Sequence, residues 1–163
     1  MRVMGVVELE VERTVLAPVE DVFDRLADIR GYSDWMPTKG SILRRTEQTS
    51  PGEPSVGTTY VDDTSYGKTP GEIVEFDRPH RLVFHWWDSS RKGGMKLEGW
   101  PGYTLTPDGQ GTTLVRHHVK LRTYGAYRLA TPVLRRLALK ERTTTVEALK
   151  TSFDDSSRTD PGR

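Results

Sequence analysis

Cysteine is absent from the chain, so disulfides, thiol nucleophiles and cysteine-rich zinc sites are excluded. No apolar run reaches the roughly eighteen residues of a membrane span, and stable membrane insertion is not expected. The opening MRVMGVVELEVERTV brings charge back at Glu8, before an apolar stretch of signal-peptide length can form, so the expected location is the cytoplasm. Charge of one sign is also missing. The 24 Lys and Arg balance 23 Asp and Glu to leave a net of +1, which removes a global electrostatic case for nucleic acid as a partner. There is no HExxH, no Gly-rich phosphate loop and no G-x-S-x-G elbow, so no metal or cofactor is expected. Internal repeats and an alternating strand–helix–strand order are lacking, which argues against a solenoid and against a doubly wound dinucleotide fold.

What is present is one domain's worth of chain, 163 residues at 34% hydrophobic. Residues 5–16 place Val7, Leu9 and Val11 opposite Glu8, Glu10 and Glu12, the period of a strand. Pro18 then opens a helix whose inner face is Val19, Val22, Phe23 and Leu26, with Glu20 and Asp21 early, where the helix dipole favours them. GYSDWMP (31–37) ends this helix or turns into a second, short one. Further strands are expected at 41–48, 58–64, 72–76 and 81–88, as a pair or one bent strand at 95–106, and at 112–122. YGKTPG (66–71) reads as a turn. Tyr124 to Phe153 reads as one long helix, kinked near Pro132. The domain is expected to span 1–153, with 154–163 as a flexible tail.

The predicted class is α+β: a curved antiparallel sheet of about seven strands around a long C-terminal helix, with two short helices after the first strand. Several segments carry a family resemblance in their order. They are Val11 to Val15 leading into Ala17-Pro18-Val19-Glu20-Asp21-Val22-Phe23, then Tyr32-Ser33-Asp34-Trp35-Met36-Pro37 and Gly57-Thr58. Gly71 to Val74, Pro79 to Trp86 and Gly111 to Leu114 follow. Together they resemble the START-like, helix-grip superfamily, in particular its polyketide cyclase/dehydrase and lipid-transport branch, over about residues 6–153. The resemblance implies a cavity between sheet and final helix for a hydrophobic or amphipathic small molecule such as a lipid, polyketide or aromatic metabolite. It also admits an aromatase or cyclase using general acid/base catalysis, or a protein-interaction module; the expectation here is a non-catalytic binder.

The candidate ligand-binding residues are Trp35, Tyr60, Tyr66, Phe84, Trp86, Tyr103, His117 and Arg142. Trp35 reads either as a core plug or as a ligand contact. In Phe84-His85-Trp86-Trp87, alternate residues share a face. Phe84 and Trp86 join Leu82 on the expected inner face, while His85 and Trp87 need other cover, for which a homodimer through Trp87 is one solution. His117 lies with Val115, Val119 and Leu121, an interior histidine that either has a structural partner or orients a ligand. Arg142 interrupts the apolar face of the last helix, and it either pairs, with Glu98 for example, reaches solvent along its stem, or holds a ligand oxygen. Tyr60, Tyr66 and Tyr103 can each place a hydroxyl over the cavity or be ordinary half-buried tyrosines. Loops 64–71 and 88–94 are the expected gates. Arg128, Arg135, Arg136, Lys140 and Arg142 make the helix basic, a pattern that suits a solvated face or, failing that, an anionic surface.

Overall fold

A computed structural model describes residues 4–89 and 94–158 of the chain. Strand β1 (Met4–Val15) leads into helix α1 (Val19–Ala27) and a 3-10 segment (Ile29–Asp34). Six strands follow: β2 (Leu43–Gln48), β3 (Thr59–Thr64), β4 (Gly67–Asp77), β5 (Arg81–Ser89), β6 (Met95–Pro107) and β7 (Thr113–Tyr124). A second 3-10 segment (Gly125–Ala130) then feeds helix α2 (Thr131–Arg158). All seven strands form one antiparallel sheet in the order β1-β7-β6-β5-β4-β3-β2, with α2 packed across it. This is the helix-grip fold.

The sheet follows from alternation. Along β7, residues Thr113, Val115, His117, Val119, Leu121 and Thr123 are buried in strict succession while their neighbours reach outward. β1 pairs with it over its whole length, bringing Glu8, Glu10 and Glu12 opposite Lys120, His118 and Arg116, so opposite charges face each other at both ends of this row on the outer face, with His118 between them. Helix α1 begins where Pro18 holds an extended backbone, and Val22 N–H donates to the Pro18 carbonyl at 3.1 Å. Its buried Val22, Phe23 and Leu26 enter the main core, where Phe23 meets Phe76 edge to face at 5.1 Å.

Several boundaries differ from the sequence reading. The segment 66–71, read as a turn and gate, is mostly strand: β4 starts at Gly67, and Pro70 pairs with Val61 of β3. Proline is accommodated because β5 pairs with β4 only from Gly71 onward, so Pro70 sits where β4 has no neighbour on its β5 side. The segment 95–106 is one strand. Pro101 lies in its middle, and the β5–β6 ladder is interrupted between the Val83–Gly102 and Trp86–Gly99 pairs without any slip in register. The missing proline N–H accounts for that gap. Pro132 is the second residue of α2, where a proline costs nothing, so it starts the helix rather than kinking it. The strand before it runs on to Tyr124, and α2 continues to Arg158, so residues 154–158 are helical where a tail was expected. Most of the expected 88–94 gate, residues 90–93, lies outside the described residues.

Candidate functional site

Inside the sheet, Ile29, Tyr32, Met36, Leu43, Thr46, Tyr60, Asp62, Phe84, Trp86, Pro101, Tyr103, Arg142 and Thr145 enclose a cavity of about 80 Å³. Two of them, Tyr60 and Trp86, lie over glycines on neighbouring strands. A Cβ at Gly71 would collide with the ring of Tyr60, and one at Gly99 would come within 2.7 Å of the Trp86 ring and 2.8 Å of Leu121 Cδ2. Each aromatic therefore lies flat across a strand that has no side chain beneath it. Phe84 is clamped edge to face between Tyr60 at 5.7 Å and Tyr103 at 6.5 Å. One wall is thus aromatic.

The other wall is polar. Thr46 Oγ1 donates to Asp62 Oδ1 at 2.6 Å across the β2–β3 pair. Burial raises the Asp62 carboxyl above its usual range, against the opposing pull of the Thr46 hydrogen bond and the Arg142 charge. Burial likewise raises the Tyr60 and Tyr103 phenols, so both stay protonated at neutral pH. Arg142 projects from α2 toward this group and acts electrostatically on Tyr60, Asp62, Tyr103 and His117. Among the described residues it forms neither a hydrogen bond nor an ion pair. The suggested partner Glu98 is occupied on the opposite face of the sheet, accepting from Tyr124 Oη at 2.7 Å and bonded to His85 Nε2 at 3.0 Å.

His117 lies one layer behind the cavity. Its ring is fully buried and stacks on Tyr103 with centroids 4.1 Å apart. Nδ1 lies 2.8 Å from the Gly102 carbonyl, which can only accept, so Nδ1 carries the proton and Nε2 holds a lone pair. Among the described residues Nε2 has no hydrogen-bond partner. Desolvation and the Arg142 charge push the imidazole well below its ordinary pKa, so it is neutral at pH 7.

Five of the eight residues singled out from sequence therefore line one cavity: Tyr60, Phe84, Trp86, Tyr103 and Arg142. His117 backs it. Trp35 is placed elsewhere, packing on Tyr32 at 5.5 Å and lining an open outer groove of about 880 Å³ between α1 and the end of α2. That groove is the larger of the two concavities, and two of its carboxylates are already paired, Asp24 with Arg78 and Glu147 with Arg13. From GYSDWMP it is Tyr32 and Met36 that reach the inner cavity. Tyr66 is 77% exposed at the β3–β4 turn, away from the cavity. His85 and Trp87 cover each other on the convex face, where His85 also stacks on Trp100 at 4.7 Å and Arg122 lies over Trp100. Asp62 was passed over as a site residue, although its period-two spacing from Tyr60 places both on one face. Glu141 reads as surface but is buried, accepting from Ser41 Oγ at 2.7 Å and Ile42 N–H at 3.0 Å.

Residues 6–154 match the family described as polyketide cyclase / dehydrase and lipid transport. The chain belongs to that family. No curated protein matches it by sequence. Among solved structures, this family member is similar to the ZhuI aromatase/cyclase of Streptomyces sp. R1128, at 14% identity and a TM-score of 0.78, covering 98% of this chain and 100% of that one. It is also similar to norcoclaurine synthase from Thalictrum flavum, at 14% identity and a TM-score of 0.63, covering 92% and 86%. An uncharacterized protein from Rhizobium leguminosarum superposes with a TM-score of 0.69 at 12% identity, covering 95% and 99%. At such identities the likeness establishes the fold. A ligand-binding cavity between sheet and helix is the shared feature of fold and family. Among the described residues no helix is long and apolar enough to cross a membrane, and no three His, Asp or Glu gather as metal ligands.

Proposed function

We propose that this chain binds a small amphipathic molecule in the helix-grip cavity, one with an aromatic or flat apolar body and an acidic or carbonyl oxygen. The observation that carries this reading is Arg142, a cation on the cavity wall with no ion pair among the described residues, facing Tyr60, Asp62 and Tyr103. A plain lipid chain leaves that guanidinium unanswered, whereas a ligand oxygen answers it with charge-assisted hydrogen bonds. Phe84, Trp86 and the tyrosine rings supply area for an apolar body. The cavity of about 80 Å³ is well short of the roughly 300–1,000 Å³ of ligand pockets. Binding then requires the cavity to enlarge.

The experiment is native mass spectrometry of the purified protein and of Arg142→Met, each beside a denatured control. A small oxygen-bearing compound retained by the wild type and lost from the variant is the expected result. A variant that keeps the compound, or one destabilised by roughly the 3–5 kcal/mol of a broken buried ion pair, overturns the role given to Arg142.

A second reading, turnover by proton transfer, draws on the lone pair of His117 Nε2. The ring of Tyr103 covers His117, so this chemistry needs Tyr103 to move aside when ligand is bound. It predicts that His117→Asn keeps the ligand and stops its conversion.

A further inference from the structure

The first half of α2 and the 3-10 segment before it form a surface unlike the rest of the molecule. Residues 125–140 carry Arg128, Arg135, Arg136 and Lys140 and no carboxylate, while the chain as a whole is only +1, so the remainder has a net charge of −3. The same stretch exposes apolar side chains: Leu129 is 77% exposed, Val133 68% and Leu139 47%, with Tyr127 beside them. The buried contacts of α2 come later, at Glu141, Thr145, Val146, Leu149 and Phe153. Helical spacing puts Val133, Arg136 and Lys140 on one outward arc of α2, with Leu139 next to it and the exposed Leu129 in the 3-10 segment just before it. Lys96 of β6 adds a fifth cation, 5.7 Å from the Tyr127 ring. Arg135 Nη1 donates to the backbone carbonyl of Glu8 on β1 at 3.5 Å, and Glu8 itself pairs across the ladder with Lys120.

We propose that this arc docks peripherally on an anionic lipid surface. Leu129, Val133 and Leu139 would sit at the boundary of headgroups and acyl chains, and Arg128, Arg135, Arg136 and Lys140 against lipid phosphates. Interleaved aliphatic and cationic side chains on an exposed helix are the signature of interfacial binding. A nucleic acid rewards the cations and leaves the leucines and valine in water. A two-fold contact with a second copy sets the same cations against each other. The inference stands independently of what the cavity holds.

The test is flotation of the full chain with phosphatidylcholine vesicles containing phosphatidylserine, against pure phosphatidylcholine vesicles. The protein should float with the first and not the second, and high salt should release it. Arg135→Glu with Arg136→Glu should lower partitioning by at least about tenfold, and Leu129→Ser with Val133→Ser should also weaken it several-fold. All four positions are exposed, and thermal melts will verify that both variants fold. Absence of flotation with anionic vesicles overturns the proposal, as does equal flotation with neutral ones. Retention by the charge-reversed variant does the same. Unchanged partitioning of the serine variant would reduce the surface to a plain basic patch and point to an anionic macromolecule instead.

Discussion

Tyr103 lies flat on His117, the two rings 11° from parallel and their centroids 4.1 Å apart. The phenol faces the cavity and the imidazole does not, so Tyr103 is the partition between the ligand space and a buried base. Tyr103→Ala is expected to cost about 3–5 kcal/mol and to open His117 Nε2 to the cavity. Acylation by diethyl pyrocarbonate, mapped by peptide mass, should be slow at His117 in the wild type and fast in the variant. Equal rates would show that Nε2 is reached by some path that Tyr103 does not close.

The buried imidazole also makes stability depend on pH. The folded pKa of His117 lies well below its ordinary 6.5, so between the two values the unfolded chain holds a proton that the folded chain refuses. Stability is therefore full above pH 6.5 and falls as pH drops below it, with a slope of up to about 1.4 kcal/mol per pH unit. His118, half-buried beside Arg81, is shifted in the same direction and adds to the slope. Asp62 acts oppositely, because its raised carboxyl pKa stabilises the folded state as it takes up a proton. Urea denaturation from pH 7.5 to 5 on wild type and His117→Asn will separate these contributions. An unchanged slope in the variant would assign the effect to other groups.

Gly71 is the floor beneath Tyr60. Gly71→Ala is expected to destabilise by about 1–3 kcal/mol by pushing the phenol into the cavity. In a double-mutant cycle with Tyr60→Leu the two changes should be strongly non-additive, since the smaller side chain removes the obstruction. Additive costs would mean that the glycine is needed for its backbone and not for the ring above it.

The aspects of this architecture that could be read from sequence were those governed by period. β7 alternates so regularly that the inward face of Val115, His117, Val119 and Leu121 is legible without any structure. On β5 the pattern is less decisive: Leu82, Phe84 and Trp86 share a face, but Val83 of the other face is buried too. What escaped reading depends on partners distant in sequence. Pro70 and Pro101 look like strand breakers, and only the pairing shows that each falls where the ladder on one side is absent or interrupted. Asp62 looks like an ordinary polar residue until Thr46 and Arg142, 16 residues before it and far beyond it, turn toward it. Glu141 looks like one more charge on a helix, and nothing in its neighbours announces that Ser41 and Ile42 will bury it.

Glu141 and Arg142 are consecutive, yet they serve different ends: one holds backbone, the other lines the cavity. Glu141 ties the chain ahead of β2 to α2, while Arg142 reaches into the cavity beside it. If the proposed ligand engages Arg142, the contact that receives it and the contact that holds residues 41 and 42 would lie on one peptide unit rather than in separate parts of the protein.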